Sequence, residues 1–460
     1  DAGVGPDAGP DAAPDAALDP DAAVDLCLLR DTMEPVVLYL SADDSNSMAS
    51  AAIARNEIRA GRRPAPGVLR TYEFLNYYNV PYEAPAQGRA NVIAELREGL
   101  EPGEYVMQLG VQSAPLPAQH RSKVLTLVLD TSGSMGGSPI ELEREAVRAI
   151  AASLRAGDIV SFVEWNTTRT VPLEAHIATG PNDPTILAAA NAIRSGGGTN
   201  LHGGLTHGYA LARAHYDPSR LNRVVLISDG QANAGILDRD IIAAAAEDSE
   251  LDGIYLVGVG VGDGIDDTLM DAVTDAGRGA YVFIDSAAEA RRLFVDRFDE
   301  VMEISLMAVQ VQLQMPWYMA VREFHGEEIS TDPKEVTPQH LAPGDAMVFH
   351  QIVAACDPAL VDPADGIQVT ASYVRPEGRV PDFDVMDTTF EALLSQPDIG
   401  LRRGDAIVAY AEFLKQAPSL APAEGLAARE GALSMLREAL AAGPDADLEE
   451  IESLLLAYPL

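Results

Sequence analysis

The sequence predicts an α/β fold: a doubly wound, mostly parallel sheet over residues 121–302, inserted into an antiparallel β-sandwich built from the segments on either side, with helices at the C-terminus. Three observations predict it. From Lys123 onward, short apolar runs alternate with helical stretches, the pattern of a parallel sheet covered on both faces. Segments before and after that region alternate with period two and have no helices between them. At 460 residues, the chain is also long enough for two or three cores.

Residues 1–30 form an acidic Asp/Ala/Pro linker. Its first 25 residues hold seven Asp and no basic residue, and such a composition cannot bury enough apolar surface to offset its ordering entropy. Pro and like charges extend a chain of this kind, so it reads as a spacer. Residues 31–120 read as an N-terminal flank of helices and sandwich strands.

Within residues 121–302, the expected strands are Lys123 to Asp130, Asp158 to Asn166, Arg223 to Ser228, Gly253 to Val261 and Ala280 to Asp285, all dense in Val, Ile, Leu or aromatics. They read as buried and parallel. Ile140 to Arg155 places Val147, Ile150, Ala151 and Leu154 on one helical face. Leu201 to Tyr216, Arg239 to Ser249, Asp266 to Ala276 and Ala287 to Met302 read as further helices.

Sandwich strands are expected at Asn91 to Arg97, Glu104 to Gln112, Leu306 to Gln314, Ala346 to Ala354 and Gly366 to Tyr373. Halves left unpaired would expose strand edges, so the two flanks are expected to pair with each other. Residues 303–385 supply the later strands. Residues 386–460 form a helical region, with Ala406 to Leu414, Ala427 to Ala441 and Leu448 to Leu455 showing helical periodicity, expected to pack on the sandwich.

Chemistry gathers where strands end. Asp130-Thr131-Ser132-Gly133-Ser134 follows the first predicted sheet strand and puts one carboxylate and two hydroxyls in a tight turn at the edge where such sheets bind ligands. Thr199 follows Gly196-Gly197-Gly198, whose glycines allow close backbone approach. Asp229, in Ser228-Asp229-Gly230, adds a second carboxylate at another strand end. The five candidate metal ligands Asp130, Ser132, Ser134, Thr199 and Asp229 contain no His or Cys. An all-oxygen, incomplete set suits Mg2+ or Mn2+, with Ca2+ as a further candidate. Hydroxyl ligands are neutral, so such a cation keeps positive charge and draws an Asp or Glu carboxylate from a protein partner.

The Asp-x-Ser-x-Ser turn with the later Thr and Asp resembles the metal-ion-dependent adhesion site of von Willebrand factor type A domains. The resemblance covers about 180 residues. It implies that Ser132 and Ser134 coordinate directly, Asp130 and Asp229 mostly through water, and Thr199 in either way. Ser41-Ala42-Asp43-Asp44-Ser45, the run from Arg70 to Tyr78 and Gly404-Asp405-Ala406 look like flanking segments of bacterial proteins that embed this domain between extra N- and C-terminal regions.

Other motifs have plainer readings. His202 and His207 read as packing or surface residues, with His202 near the rim of the site. Arg403-Gly404-Asp405 reads as a helix start, with Asp405 favoured by the helix dipole. Asn166-Thr167-Thr168 fits a glycosylation sequon that recurs by chance. The acidic runs Asp263 to Asp267 and Glu247 to Asp252 lack the spacing of a Ca2+ loop.

A formal net charge of −38 argues against nucleic acid and anionic membranes as partners. No apolar run reaches transmembrane length. The start at Asp1 suits a processed, exported product whose signal peptide has been removed, with an extracytoplasmic or cell-surface location. Two cysteines, Cys27 and Cys356, fit either a reduced protein or one disulfide, and Cys27 lacks the small residues that precede a lipid-modified cysteine. The expected function is therefore metal-dependent protein binding or adhesion. A docking subunit of a larger assembly is the alternative. A metal-assisted hydrolase is disfavoured, because the chain has no Walker A loop, Gly-x-Ser-x-Gly elbow or His-Glu-x-x-His.

Overall fold

The computed structural model describes residues 33–42, 47–116, 121–230, 253–262, 265, 269–270, 273–274, 277 and 279–460. The linker over 1–30, the helix expected at Arg239 to Ser249, most of that expected at Asp266 to Ala276, and both acidic runs except Ile265 lie outside these residues. Among the described residues no cysteine is free. Cys27, the partner the sequence offers Cys356, lies outside them.

The chain opens with β1 (Val36–Ser41), α1 (Ala49–Arg59), α2 (Thr71–Tyr78), β2 (Ala90–Glu98) and β3 (Glu104–Ser113). An inserted segment follows: β4 (Lys123–Asp130), α3 (Ser138–Ser153), β5 (Ile159–Trp165), β6 (Arg169–Ile177), α4 (Pro184–Ala192), α5 (Leu201–Ala214), β7 (Leu221–Ser228), β8 (Tyr255–Val261), β9 (Tyr281–Ile284), α6 (Ala287–Arg291) and α7 (Phe298–Met302). The return runs through β10 (Leu306–Met315), β11 (Met319–Phe324), β12 (Glu328–Ser330), β13 (Gln339–Leu341), β14 (Ala346–Ala355), β15 (Gly366–Arg375) and β16 (Val380–Thr389). It closes with α8 (Phe390–Leu394), α9 (Ile399–Gln416), α10 (Pro422–Leu440) and α11 (Ala446–Ala457).

The inserted sheet has strand order β6-β5-β4-β7-β8-β9. Its five strands from β5 to β9 are parallel, and β6 alone is antiparallel. Every residue of β4, β7 and β8 is buried, as a sheet covered on both faces requires. The chain leaves β4 toward β5 on one side and later returns to β7 on the other. The carboxyl end of β4 is thus a topological switch point.

The single helix expected over Ala287 to Met302 is divided. Between α6 and α7 the turn widens to a π-helix over Arg292–Asp296, where the Ser153 hydroxyl of α3 donates to the Phe294 carbonyl at 2.7 Å. That captured carbonyl supplies the reason for the irregular turn.

Both sandwich sheets draw on both flanks. One has the order β12-β1-β10-β15-β16, with β13 also on β10, and the other β11-β14-β3-β2. β1 pairs with β10 from Val36 opposite Met315, and β3 pairs with β14 from Gln112 opposite Ala346. Leu40, Leu109, Val111, Leu313, Phe349 and Val369 meet in the interior. The chain leaves the sandwich near Ala114 and rejoins it at Ser305, whose hydroxyl donates to the Ala114 carbonyl at 3.4 Å.

The C-terminal helices do more than pack on the sandwich. Leu401 onward covers outer faces of β3 and β14, yet Tyr410, Phe413, Leu433 and Leu454 belong to the same apolar core as the inserted sheet, reached through Phe74 and Tyr78 of α2. A buried ion cluster closes this joint: Arg55 of α1 reaches Asp285 at 2.7 Å and Glu289 at 2.8 Å.

Arg403-Gly404-Asp405 lies inside α9 rather than at its start. Asp405 is held by Arg97 at 2.7 Å and His350 at 2.9 Å, not by the first-turn dipole, because the helix already begins at Ile399. Arg403 donates to the Asn79 carbonyl at 2.7 Å and the Tyr78 carbonyl at 2.6 Å.

Candidate metal centre

The Asp130 turn is built by its own backbone and by β7. The Ser132 amide donates to Asp130 Oδ1 at 2.9 Å, the local bond that makes Asp a turn former. The Ser228 hydroxyl donates to Asp130 Oδ2 at 2.6 Å and accepts from the Gly230 amide at 3.0 Å. Both carboxylate oxygens are thereby oriented. The turn places the Ser132 and Ser134 hydroxyl oxygens 3.0 Å apart.

The glycine-rich loop is stitched onto this turn by backbone. The Gly196 amide donates to the Thr131 carbonyl at 2.8 Å, and the Gly133 amide to the Gly197 carbonyl at 3.0 Å. Gly197 has φ +91°, which a side chain would strain. On the other side, the Gly198 amide donates to Thr167 Oγ1 at 2.6 Å. These bonds tie the loop that carries Thr199 to the Asp130 turn and to Thr167. Asn200 then caps α5, accepting from the Gly203 amide at 3.0 Å.

Asp130 and Ser132 are fully buried and Asp229 is 2% exposed, whereas Ser134 and Thr199 are half-buried. The two carboxylates and Ser132 thus lie deepest, with Ser134 and Thr199 nearer the surface. Burial pushes the Asp130 carboxyl up to about 6, and the Asp229 charge adds to it, against the opposing hydrogen bonds from Ser228 and Ser132. Burial likewise holds Glu143 of α3 well above the usual carboxylate range, with Asp130 and Glu164 contributing. Among the described residues, no group of three or more His, Cys, Asp or Glu is set to hold a metal. A cation here would rely on hydroxyls as well as the Asp130 and Asp229 carboxylates. Buried carboxylates beside a close hydroxyl pair fit a hard divalent ion.

Several supporting residues carried no signal in the sequence. The Thr131 hydroxyl donates to the Trp165 carbonyl at 3.0 Å, and Asn166 Nδ2 donates to Thr131 Oγ1 at 3.2 Å. The sequon asparagine therefore braces the turn. Ser228 was visible only as a neighbour of Asp229. His202 and His207 are half-buried on α5.

A parallel sheet with a switch point at β4 and oxygen donors on its carboxyl-edge loops defines a class. The chain carries a von Willebrand factor type A domain, whose family model matches residues 125–296. The uncharacterized protein YfbK of Escherichia coli is 24% identical over 295 residues, covering 61% of this chain and 51% of that protein. Inter-alpha-trypsin inhibitor heavy chain H2 of Sus scrofa is 27% identical over 182 residues, covering 37% of this chain and 20% of that one. The chain therefore spans about half, or less, of the curated relatives it matches. Among solved structures, a von Willebrand factor type A protein from Catenulispora acidiphila superposes with a TM-score of 0.50 at 14% identity, over 83% of this chain and 99% of that one. That likeness extends the shared fold into the flanks. No helix among the described residues is long and apolar enough to cross a membrane.

Proposed function

We propose that the chain is a metal-dependent protein-binding module rather than an enzyme. In this reading Asp130, Ser132, Ser134, Thr199 and Asp229 hold a divalent cation, Mg2+ or Mn2+ with Ca2+ as a further candidate. When bound, the cation supplies an electrophilic position that an Asp or Glu carboxylate of a protein partner completes. The observation that carries the reading is the Ser132–Ser134 hydroxyl pair, 3.0 Å apart, in the same turn as an Asp130 carboxylate already oriented by Ser132 and Ser228. The chain's own part is to keep both Asp130 oxygens fixed, present the paired neutral hydroxyls of Ser132 and Ser134, and seat Thr199 on a loop tied to the turn.

The acidic, Pro-containing composition of residues 1–30 supports use as a spacer that holds the module away from a surface, in keeping with an extracytoplasmic place of action. Calorimetric titration of Mg2+, Mn2+ and Ca2+ into the chain and into Asp130→Ala tests the reading, with partner capture repeated in chelator. Cation binding lost in the variant, and partners released by chelator, are the expected results. A wild-type chain that takes up no divalent cation would overturn it.

A further inference from the structure

The cation site has a neighbour that neither its loops nor its motif accounts for. Ile140, Glu143, Ala146, Val147 and Ile150 line the buried face of α3, so Glu143 occupies a position where helical spacing calls for an apolar side chain. Glu143 is fully buried. Neither of its carboxylate oxygens has a well-formed hydrogen bond among the described residues, and the donor that acts on it is the Asp130 backbone. The carboxylates acting on it are Asp130, at the end of β4, and Glu164 on β5. The charge of the adjacent Arg144 also acts on it, but its guanidinium is engaged by Glu141 and by the Ile193 carbonyl, with Nε 3.1 Å from that oxygen.

A carboxylate in such a place gains nothing from packing and little from hydrogen bonding, and ionising it there without a counter-charge is among the costliest events in a core. Leucine would fill the position better. What makes a carboxylate useful there is a positive charge on the Asp130 side of it. We propose that Glu143 is a third carboxylate of the cation site, set behind Asp130, whose negative charge is offset by the bound cation without touching it. This rests on the cation reading of the site and deepens it. Glu143 is thus a positioning residue for that ion.

The test combines titration of Mg2+ and Mn2+ with thermal melts in cation and in EDTA, on the wild-type chain, Glu143→Gln, Glu143→Leu and Asp130→Ala. Loss of a partner behind a metal's ligands typically lowers affinity about 10- to 100-fold. Glu143→Gln is expected to fall in that range, with a smaller cation-induced rise in melting temperature and an unchanged or higher melt in EDTA. Glu143→Gln conserves shape, so it carries the test if Glu143→Leu fails to fold. Unaltered affinity in Glu143→Gln, with wild-type binding that Asp130→Ala abolishes, would overturn this inference and leave the proposed function standing. An equal drop in melting temperature with cation and with EDTA would assign Glu143 a structural role and also overturn it. A wild-type chain that binds no cation overturns both.

Discussion

Replacing Arg55 by Met tests how the inserted domain is held to its host. The Arg55 side chain, only 4% exposed, joins α1 to Asp285 and Glu289 beside β9 and α6, and its Nη1 lies 3.6 Å from Glu450 of α11. Asp285 and Glu289 are themselves 4% exposed, so the variant strands two buried carboxylates. Removing one partner of a buried pair costs about 3–5 kcal/mol. With about 2–4 °C of melting temperature per kcal/mol for a domain of the inserted segment's size, the loss is roughly 6–20 °C. Scanning calorimetry measures it directly. Arg55→Lys keeps the charge but not the fork that serves both acids, and is expected to fall between. Adding Asp285→Asn and Glu289→Gln to Arg55→Met should recover most of the loss, because neutral amides no longer need a counter-charge. A loss below about 1 kcal/mol, or a triple variant no better than the single one, would refute the view that uncompensated charge is what the joint must avoid.

Three further predictions follow from single contacts. A Cβ on Gly208 would lie 2.3 Å from Val128 Cγ2 in the packed core, so Gly208→Ala should cost about 1–3 kcal/mol in denaturant titration, and a neutral result would mean α5 can lift from β4 freely. Ser228→Ala removes the donor to Asp130 Oδ2 and should lose about 1.5–3 kcal/mol in EDTA together with cation affinity; unchanged values in both would show that the 2.6 Å bond does not orient the carboxylate. Burial tends to raise Glu412, but the His325 ring 3.6 Å away, the Thr71 hydroxyl donating at 2.7 Å and the Lys415 charge outweigh it and hold the carboxyl at about 2. Its folded value is below the ordinary one, so its contribution, roughly 3 kcal/mol, is present above about pH 4.5 and lost as pH falls toward 2. Glu412→Gln should therefore flatten acid unfolding across that window, and a variant with the wild-type slope would remove Glu412 from the account.

Strands marked by an apolar run or by period-two alternation could be read from the sequence. β4 runs from Lys123 to Asp130 as the apolar run marks it, and β2, β3, β10, β14 and β15 each lie within two residues of their expected ends. β6 and β16 escaped for a physical reason: both are edge strands with many exposed side chains, and β16 carries Pro381 and three Asp among its apolar residues. Sequence periodicity shows a helix over Ala287 to Met302, but not that Ser153, far away in the chain, interrupts it. At the site, Asp130, Ser132 and Ser134 were readable because one turn holds them. The bracing by Ser228, Trp165 and Asn166 was not, since each bond depends on a neighbouring strand whose register only the folded sheet defines.

Insertion also sets an order of events during synthesis. β1 must wait for β10, and β3 for β14, so neither sheet of the sandwich can close until the ribosome has delivered residues beyond 346. The inserted strands β4 to β9 are complete by residue 284, and their partners lie within the same segment. The inserted sheet is therefore the first sheet of this chain able to form, while its host's strands remain a hairpin and a lone strand. A nascent chain stalled near residue 330 should already protect β4 and β7 from proteolysis and leave β2 and β3 cleavable.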